Sequence, residues 1–139
     1  MNVAARDLCE QYLAALNEGN LEGILALFEP DARVVSPLYG TVPVAPFYAG
    51  LFGDTNRSET RFVNLFESVS GPVALQFHYR WTLRSGRVVE FDCVDVFDLN
   101  ADRSRFSGLT IIYDTAPLRD DFESARGKPI PDATTSGMN

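Results

Sequence analysis

The stretch of sequence that decides the fold is QYLAALNEGNLEGILALFEPDARVVSP, which runs from Gln11 to Pro37. It completes a first helix, predicted over residues 3–17, in which apolar residues recur every three or four positions. Gly19 ends that helix, and Asn20 is a suitable cap for a second helix that Pro30 stops. The pattern therefore predicts two short helices packed as a hairpin, followed by a strand at Val34 and Val35.

The rest of the chain changes from helical to strand patterns. A third short helix is predicted to begin at Pro46 and to end before Gly53, after a loop over residues 40–43. Aromatic and β-branched residues then dominate four segments, which predict strands over residues 61–69, 73–84, 87–99 and 106–113. Helices first and an antiparallel sheet second indicate an α+β fold.

Length and composition are those of one packed domain. The chain has 139 residues, 45% of them hydrophobic, which is enough for a single core and too few for two domains. We predict that residues 1–116 form this domain. Residues 117–139 are polar and rich in proline and glycine, which predicts a flexible C-terminal tail.

Charge and cysteine usage exclude several classes of partner and cofactor. The net charge is −7 and Lys128 is the only lysine, so no basic surface for nucleic acid is expected. No apolar run approaches the length of a membrane span, and no leader is expected. Cys9 and Cys93 are expected to be reduced core residues of a cytoplasmic protein. Since no cluster of histidines accompanies them, neither a metal nor another cofactor is predicted.

The helical block and the segment Val94-Asp95-Val96-Phe97 together resemble the ketosteroid isomerase and SnoaL-like polyketide cyclase group of the nuclear transport factor 2-like superfamily. The resemblance covers residues 4–114. It implies a cone-shaped α+β barrel, in which three N-terminal helices pack on a curved, mainly antiparallel (mixed) sheet that encloses a pocket. In this group the outer face of the sheet often forms a homodimer.

The resemblance also assigns chemical roles to three positions. Tyr12 matches the tyrosine and Asp95 the protonated aspartic acid that together polarise the substrate oxygen in the isomerase. Where the isomerase has its carboxylate base, this chain has Ser36 before Pro37. Because a serine hydroxyl is too weak a base to deprotonate carbon at neutral pH, steroid isomerisation by that mechanism is not expected.

The register of one hairpin determines which other side chains face the pocket. A two-residue turn at Ser85-Gly86 pairs Arg84 with Arg87 and, further along, His78 with Cys93. Combined with the resemblance, which implies that Asp95 faces the pocket, this register sends the polar face of the strand inward, with Arg80, Phe91 and Asp95. It sends Phe77, Tyr79 and Trp81 outward, where they would form the homodimer interface. The alternative is an aromatic core with His78 and Arg80 in solvent.

These considerations predict a set of site residues. The candidate catalytic residues are Tyr12, Asp95 and His78, the last as a proton carrier because histidine titrates near neutral pH. A weaker likeness to the Asp–Arg–Asp arrangement of limonene epoxide hydrolases involves Arg80, Asp95 and Asp114, although the spacing does not match. The residues expected to bind substrate are Ser36, Arg80, Phe91, Phe97 and Tyr113.

The function that follows is cofactor-independent proton transfer, of the isomerase, cyclase or dehydratase (lyase) type. The expected substrate is a small apolar carbonyl compound in a buried pocket. One alternative is a non-catalytic module of the same fold that binds a small ligand or dimerises, which the serine at position 36 favours. Another is a protein-interaction module, which would require an exposed aromatic face and a filled cavity.

Overall fold

A computed structural model of the chain describes residues 3–116. The segment predicted as a tail, residues 117–139, lies outside the described residues. The three helices within them are α1 (Val3–Glu18), α2 (Leu21–Leu25) and α3 (Val44–Gly53). The strands are β1 (Phe28–Ser36), β2 (Gly40–Pro43), β3 (Thr55–Glu67), β4 (Val73–Leu83), β5 (Val88–Leu99) and β6 (Phe106–Ile112).

All of these strands form one sheet in the order β2-β1-β6-β5-β4-β3. The pairing of β1 with β6 is parallel and the other pairings are antiparallel, so the sheet is mixed. This arrangement confirms the predicted α+β fold of three helices and one sheet. The sheet does not close into a full barrel, because β2 and β3 remain as its edges.

Local signals place the helical hairpin as predicted, with shifted boundaries. Gly19, with φ of +62°, ends α1, and the Asn20 side chain accepts a hydrogen bond of 2.9 Å from the Gly23 amide. Helix α2 ends at Leu25, earlier than predicted, and β1 begins at Phe28. The segment predicted as a loop, residues 40–43, instead forms β2 against β1. None of the helices within residues 3–116 has the length and apolar character needed to span a membrane.

The β4–β5 hairpin has a different register from the predicted one. Its loop contains three residues, because Leu83 donates its amide hydrogen to the Arg87 carbonyl at 2.8 Å and Gly86 takes a φ of +94°. A three-residue loop with a glycine at positive φ is a common hairpin connection. The pairs that follow are Trp81 with Val89, Tyr79 with Phe91, Phe77 with Cys93, and Leu75 with Asp95.

This one-residue shift exchanges the two faces of β4. The predicted register, in which the polar face of the strand points inward, is therefore wrong. Phe77, Tyr79 and Trp81 point into the core and are 2–6% exposed. They therefore cannot form the outer-face dimer interface that was predicted for them. Burying three large aromatic side chains contributes about 1.5–3 kcal/mol each, whereas burying Arg80 and His78 would cost desolvation energy. The alternative register weighed in the sequence analysis, with an aromatic core, is the one that forms.

We expect Gly86→Ala to destabilise the fold, because the loop needs a positive φ that β-carbons disfavour. A β-carbon at Gly86 meets no atom within 4 Å, so the cost is backbone strain alone, about 1–2 kcal/mol. Urea denaturation measures this change in the free energy of unfolding. Gly50→Ala is the matched control: it is also free of close contacts but lies inside α3, where alanine adds about 0.5–1 kcal/mol of stability. Equal effects at the two positions would contradict this account of the loop.

Candidate functional site

A cavity lies between the inner face of the sheet and helices α1 and α3. Its volume is about 40 Å³, room for roughly three water molecules. Most of its lining is aromatic or aliphatic, and Asp95 is the one carboxylate among the lining residues that the structure describes. The lining residues are Tyr12, Leu16, Ser36, Tyr39, Phe47, Leu51, Phe77, Tyr79, Trp81, Phe91, Cys93, Asp95, Ile111 and Tyr113.

Asp95 lies on β5 and is 1% exposed. Its Oδ1 atom accepts a hydrogen bond from the Cys93 thiol, with Sγ and Oδ1 3.2 Å apart. Its Oδ2 atom is buried and has no hydrogen-bond partner among residues 3–116. A buried oxygen without a partner is uncommon in folded proteins and calls for a functional or structural reason.

Burial raises the pKa of Asp95 to about 7, because the apolar surroundings disfavour the charged form. The Cys93 thiol and the Tyr12 hydroxyl offset part of this rise in the pKa. Near neutral pH, protonated and ionised Asp95 therefore coexist. A group with this pKa is suited both to donate a proton and to accept one.

Two tyrosine hydroxyls form a buried pair beside the cavity. The oxygens of Tyr12 on α1 and Tyr48 on α3 are 2.8 Å apart. Burial, and next the charge of Asp95, raise the pKa of both tyrosines well above the usual value, so both remain protonated. Since one hydrogen lies between the two oxygens, the pair retains a second hydrogen that can be donated to a ligand.

Tyr12 is held in place by an aromatic cluster at one end of the core. Its ring packs edge-on against Phe97, with centroids 5.1 Å apart, and Phe97 stacks on Phe106 at 4.0 Å. Phe97 and Phe106 are fully buried. Phe97 was predicted to bind substrate, but it does not line the cavity and instead supports Tyr12 from behind.

Ser36, at the end of β1, lines the cavity and is 6% exposed. Its hydroxyl oxygen accepts hydrogen bonds from the amides of Leu38 and Tyr39, each at 3.2 Å. Ser36 thus organises the turn into β2 while its own hydrogen remains available for a ligand. Phe91 and Tyr113, also predicted to bind substrate, line the cavity with ring centroids 4.5 Å apart.

His78 and Arg80 lie on the outer face of the sheet, away from Asp95. The His78 ring nitrogens contact Glu90 at 2.8 Å and Asp92 at 3.0 Å, and those hydrogen bonds raise the pKa of His78. Arg80 donates to Glu59 at 3.1 Å. The predicted participation of His78 and Arg80 in the pocket is therefore wrong, because it depended on the two-residue turn.

The geometry also bears on the predicted Asp–Arg–Asp arrangement and on metal binding. Arg80 and Asp95 lie on opposite faces of the sheet, so the arrangement of limonene epoxide hydrolases is not formed. Within residues 3–116 there is no group of three or more histidine, cysteine, aspartate or glutamate side chains placed to hold a metal ion.

Tyr48 is the residue that the sequence analysis missed. It lies within the predicted third helix, but no role at the site was assigned to it. Helical periodicity marks the buried face of α3 but does not show which buried ring has a hydroxyl facing Tyr12. The signal that could have identified it is the residue type, since a tyrosine on the buried face of a helix usually has a hydrogen-bond partner for its hydroxyl.

Comparisons with known proteins agree with this fold. The family model of the SnoaL-like domain matches residues 9–105. Among solved structures, the chain is similar to TerC co-crystallised with polyporic acid, with a TM-score of 0.72, 19% identity, and coverage of 86% of this chain and 98% of that chain.

Two further solved structures share the fold. PrhC from Penicillium brasilianum has a TM-score of 0.74 and 11% identity, with 89% of this chain and 90% of that chain covered. A protein with a ketosteroid isomerase-like fold from Catenulispora acidiphila, in complex with trimethylamine, has a TM-score of 0.70 and 12% identity, with 88% and 94% covered. At these identities the similarity is one of fold.

The raised pKa of Asp95 predicts a pH-dependent gain in stability for Asp95→Asn. The unfolded carboxyl ionises from about pH 4 and the folded one only near 7, so ionisation destabilises the wild type as pH rises between these values. Asparagine does not ionise, so the Asp95→Asn variant does not lose this stability. Relative to wild type, its free energy of unfolding is expected to improve by roughly 3 kcal/mol from pH 5 to pH 8.5.

Urea denaturation at the two pH values measures this difference. Asp98→Asn, which removes an exposed carboxylate of the same strand, is the control and is expected to show no comparable gain. A flat pH dependence for the difference between Asp95→Asn and wild type would contradict the proposed ionisation of Asp95.

Proposed function

This chain belongs to the family of SnoaL-like domains, and on that premise we propose that it catalyses cofactor-independent proton transfer on a small apolar carbonyl compound. The observation that carries the proposal is the buried Asp95 carboxyl, with a pKa of about 7 and an Oδ2 atom without a partner in residues 3–116. Perturbed carboxyls in apolar cavities are typical of sites for acid–base chemistry.

The reaction we propose uses Asp95 and the tyrosine pair in turn. The Tyr12 hydroxyl, backed by Tyr48, donates a hydrogen bond to the substrate carbonyl oxygen. Ionised Asp95 takes a proton from the adjacent carbon, and the electron pair of that C–H bond moves to form an enolate. Tyr12 stabilises the enolate oxygen in a site with little water. Asp95 then returns the proton to another carbon.

The same groups serve the isomerase, cyclase and dehydratase reaction types, which differ in where the proton is delivered. Returning it to a different carbon shifts a double bond, and delivering it to a leaving hydroxyl completes a dehydration. In a cyclisation, the enolate carbon attacks a second carbonyl carbon of the substrate, and Asp95 delivers the proton to the alkoxide oxygen that forms. Asp95 takes the role first assigned to His78, since His78 lies outside the cavity. Ser36 supplies a hydrogen-bond donor and no base.

The substrate must be compact or the cavity must widen around it. Ligand cavities for larger organic molecules measure about 300–1,000 Å³, well above the volume found here. Four half-buried lining residues, Tyr39, Phe91, Ile111 and Tyr113, mark the side where the cavity approaches solvent.

A deuterium-exchange assay tests the proposed reaction. Trp81, the single tryptophan, lines the cavity, so changes in its emission select carbonyl compounds that bind. For those compounds, the protein is expected to exchange hydrogens next to the carbonyl in D₂O. The rate should rise with pH and level off above about 7, as Asp95 ionises. Mass spectrometry measures the exchange.

Two variants assign the roles. Asp95→Asn should lower the exchange rate at least about 100-fold, and Tyr12→Phe about 100-fold, since each removes a group that acts on the transition state. Asp98→Asn, on the outer face of the same strand, is the matched control and should retain the wild-type rate. Unchanged exchange in Asp95→Asn would refute the proposal.

A second candidate function is non-catalytic binding of a small ligand. The observation that favours it is Ser36 at the position where the isomerase pattern has its base. Complexes of similar folds with polyporic acid and with trimethylamine support small-ligand binding as a use of this architecture. Ligands that change Trp81 emission but show no exchange in the wild type would identify this function.

We also propose that the outer face of the sheet forms a homodimer, through residues other than those first predicted. Neighbouring strands place apolar side chains side by side on this face: Val94 beside Ile112, and Val96 beside Ala74. Ile112 is 52% and Phe66, opposite Ala74, is 53% exposed. A contiguous apolar strip of this kind, bordered by the charged side chains around His78, is typical of an interface between copies.

Ile112→Glu is expected to weaken this dimer, because it would bury a charge at the interface. Light scattering after size-exclusion chromatography, over a range of concentrations, should show a shift from dimer to monomer. Val69→Glu makes the same change at a fully exposed position outside the strip and should leave the mass unchanged. A wild-type protein that is monomeric at all concentrations would exclude the dimer.

A cytoplasmic location remains a prediction. Cys9 and Cys93 are both free and buried, and each lies in a packed core position. Free thiols of this kind suit a reducing compartment, as the sequence analysis proposed.

A further inference from the structure

We propose that Cys93 is a positioning residue for Asp95. Its thiol donates a hydrogen bond to Oδ1, so the exchangeable proton of the carboxyl is carried on Oδ2, the oxygen that faces the ligand. This inference rests on the proposed function, in which Asp95 transfers the proton. It adds a residue that neither the family pattern nor the sequence analysis assigned to the site.

Strand geometry brings the two side chains together. Cys93 and Asp95 are two residues apart on β5, so both point to the inner face of the sheet. Both line the cavity, and their exposures are 3% and 1%. Sγ and Oδ1 are 3.2 Å apart, and the contact is fully enclosed.

The thiol is a permanent donor in this contact. Burial, followed by the charge of Asp95, raises the pKa of Cys93 far above its ordinary value, so the sulfur keeps its hydrogen throughout the working pH range. Because Oδ1 already accepts that hydrogen, protonated Asp95 carries its own proton on Oδ2. When Asp95 ionises, Oδ2 is the oxygen with no partner among residues 3–116, and it is free to take a proton from the ligand.

Four other titratable groups near Asp95, all within residues 3–116, are neutral near pH 7. Tyr12 on α1, Tyr48 on α3 and Tyr79 on β4 all have a pKa that burial raises above the ordinary tyrosine value. Cys9 on α1, chiefly through burial, has a pKa of about 12. Among residues 3–116, Asp95 therefore titrates among neutral neighbours. The Cys93 thiol lowers its pKa most and acts directly on the ionised form, and the Tyr12 hydroxyl lowers it by a smaller amount.

Carbon-13 NMR of the aspartate carboxyls, on the full chain, provides the test. Cys93→Ala removes the donor and is expected to raise the titration midpoint of Asp95 by about one pH unit. Cys93→Ser keeps a donor of similar size and should restore the midpoint to the wild-type value or below. Cys9→Ala, which removes another buried thiol near Asp95 without a hydrogen bond to it, is the matched control and should leave the midpoint unchanged within a few tenths of a unit.

Infrared spectroscopy gives a readout that a purely structural role would not move. In Cys9→Ala, the remaining S–H stretching band belongs to Cys93, and it should shift to lower frequency as Asp95 ionises. If Cys93→Ala folds poorly, the serine variant and this band still test the proposal. An S–H band that does not respond to the ionisation of Asp95, or a midpoint in Cys93→Ala equal to that of the wild type, would overturn it.

The proposed role of Cys93 and the proposed reaction can each fail independently of the other. A shifted midpoint with no deuterium exchange on any bound carbonyl compound would support the role of Cys93 and refute the catalytic proposal. Exchange that depends on Asp95, together with an unchanged midpoint in Cys93→Ala, would support catalysis and refute the role of Cys93.

Discussion

The register of the β4–β5 hairpin is the constraint on which the rest of the structure depends. Its three-residue loop and the burial of Phe77, Tyr79 and Trp81 favour the same alignment, so local turn geometry and the hydrophobic effect act together. That alignment supplies the aromatic walls of the cavity and places Cys93 and Asp95 among them. It also collects the charged side chains of β3, β4 and β5 on the opposite face, where water solvates them.

The properties of Asp95 follow from what surrounds it. An apolar cavity raises the energy of its ionised form, and the few polar atoms nearby are donors that remain neutral. In the part of the chain that the structure describes, the carboxyl has no charged partner, and it titrates near neutral pH. Its burial costs stability when it is ionised, and proteins tolerate such costs mainly at sites where chemistry or binding uses the group. Tyr12, hydrogen-bonded to Tyr48, contributes a neutral donor to the same space.

How well the sequence predicted a feature depended on whether that feature arises from local or from long-range interactions. Helical periodicity, the Asn20 cap and the order of elements predicted the α+β architecture, and Tyr12, Ser36 and Asp95 were placed at the cavity by resemblance to a family. The positions of His78 and Arg80 were predicted wrongly because they depended on the length of one turn, and a single residue reverses a strand's faces. Tyr48 escaped notice because its partner is 36 residues away in sequence.

The amino-acid sequence by itself determined every element except β2, the order of those elements and the family, since these depend on local propensities, on hydrophobic periodicity and on motif positions within short segments. Only the tertiary structure decided which face of β4 lines the cavity and that Tyr48 contacts Tyr12. It also decided that Cys93 donates to one oxygen of Asp95 while the other has no partner among residues 3–116. These features arise where separate elements pack together. Their energies depend on distance and burial, which no single segment of the sequence contains.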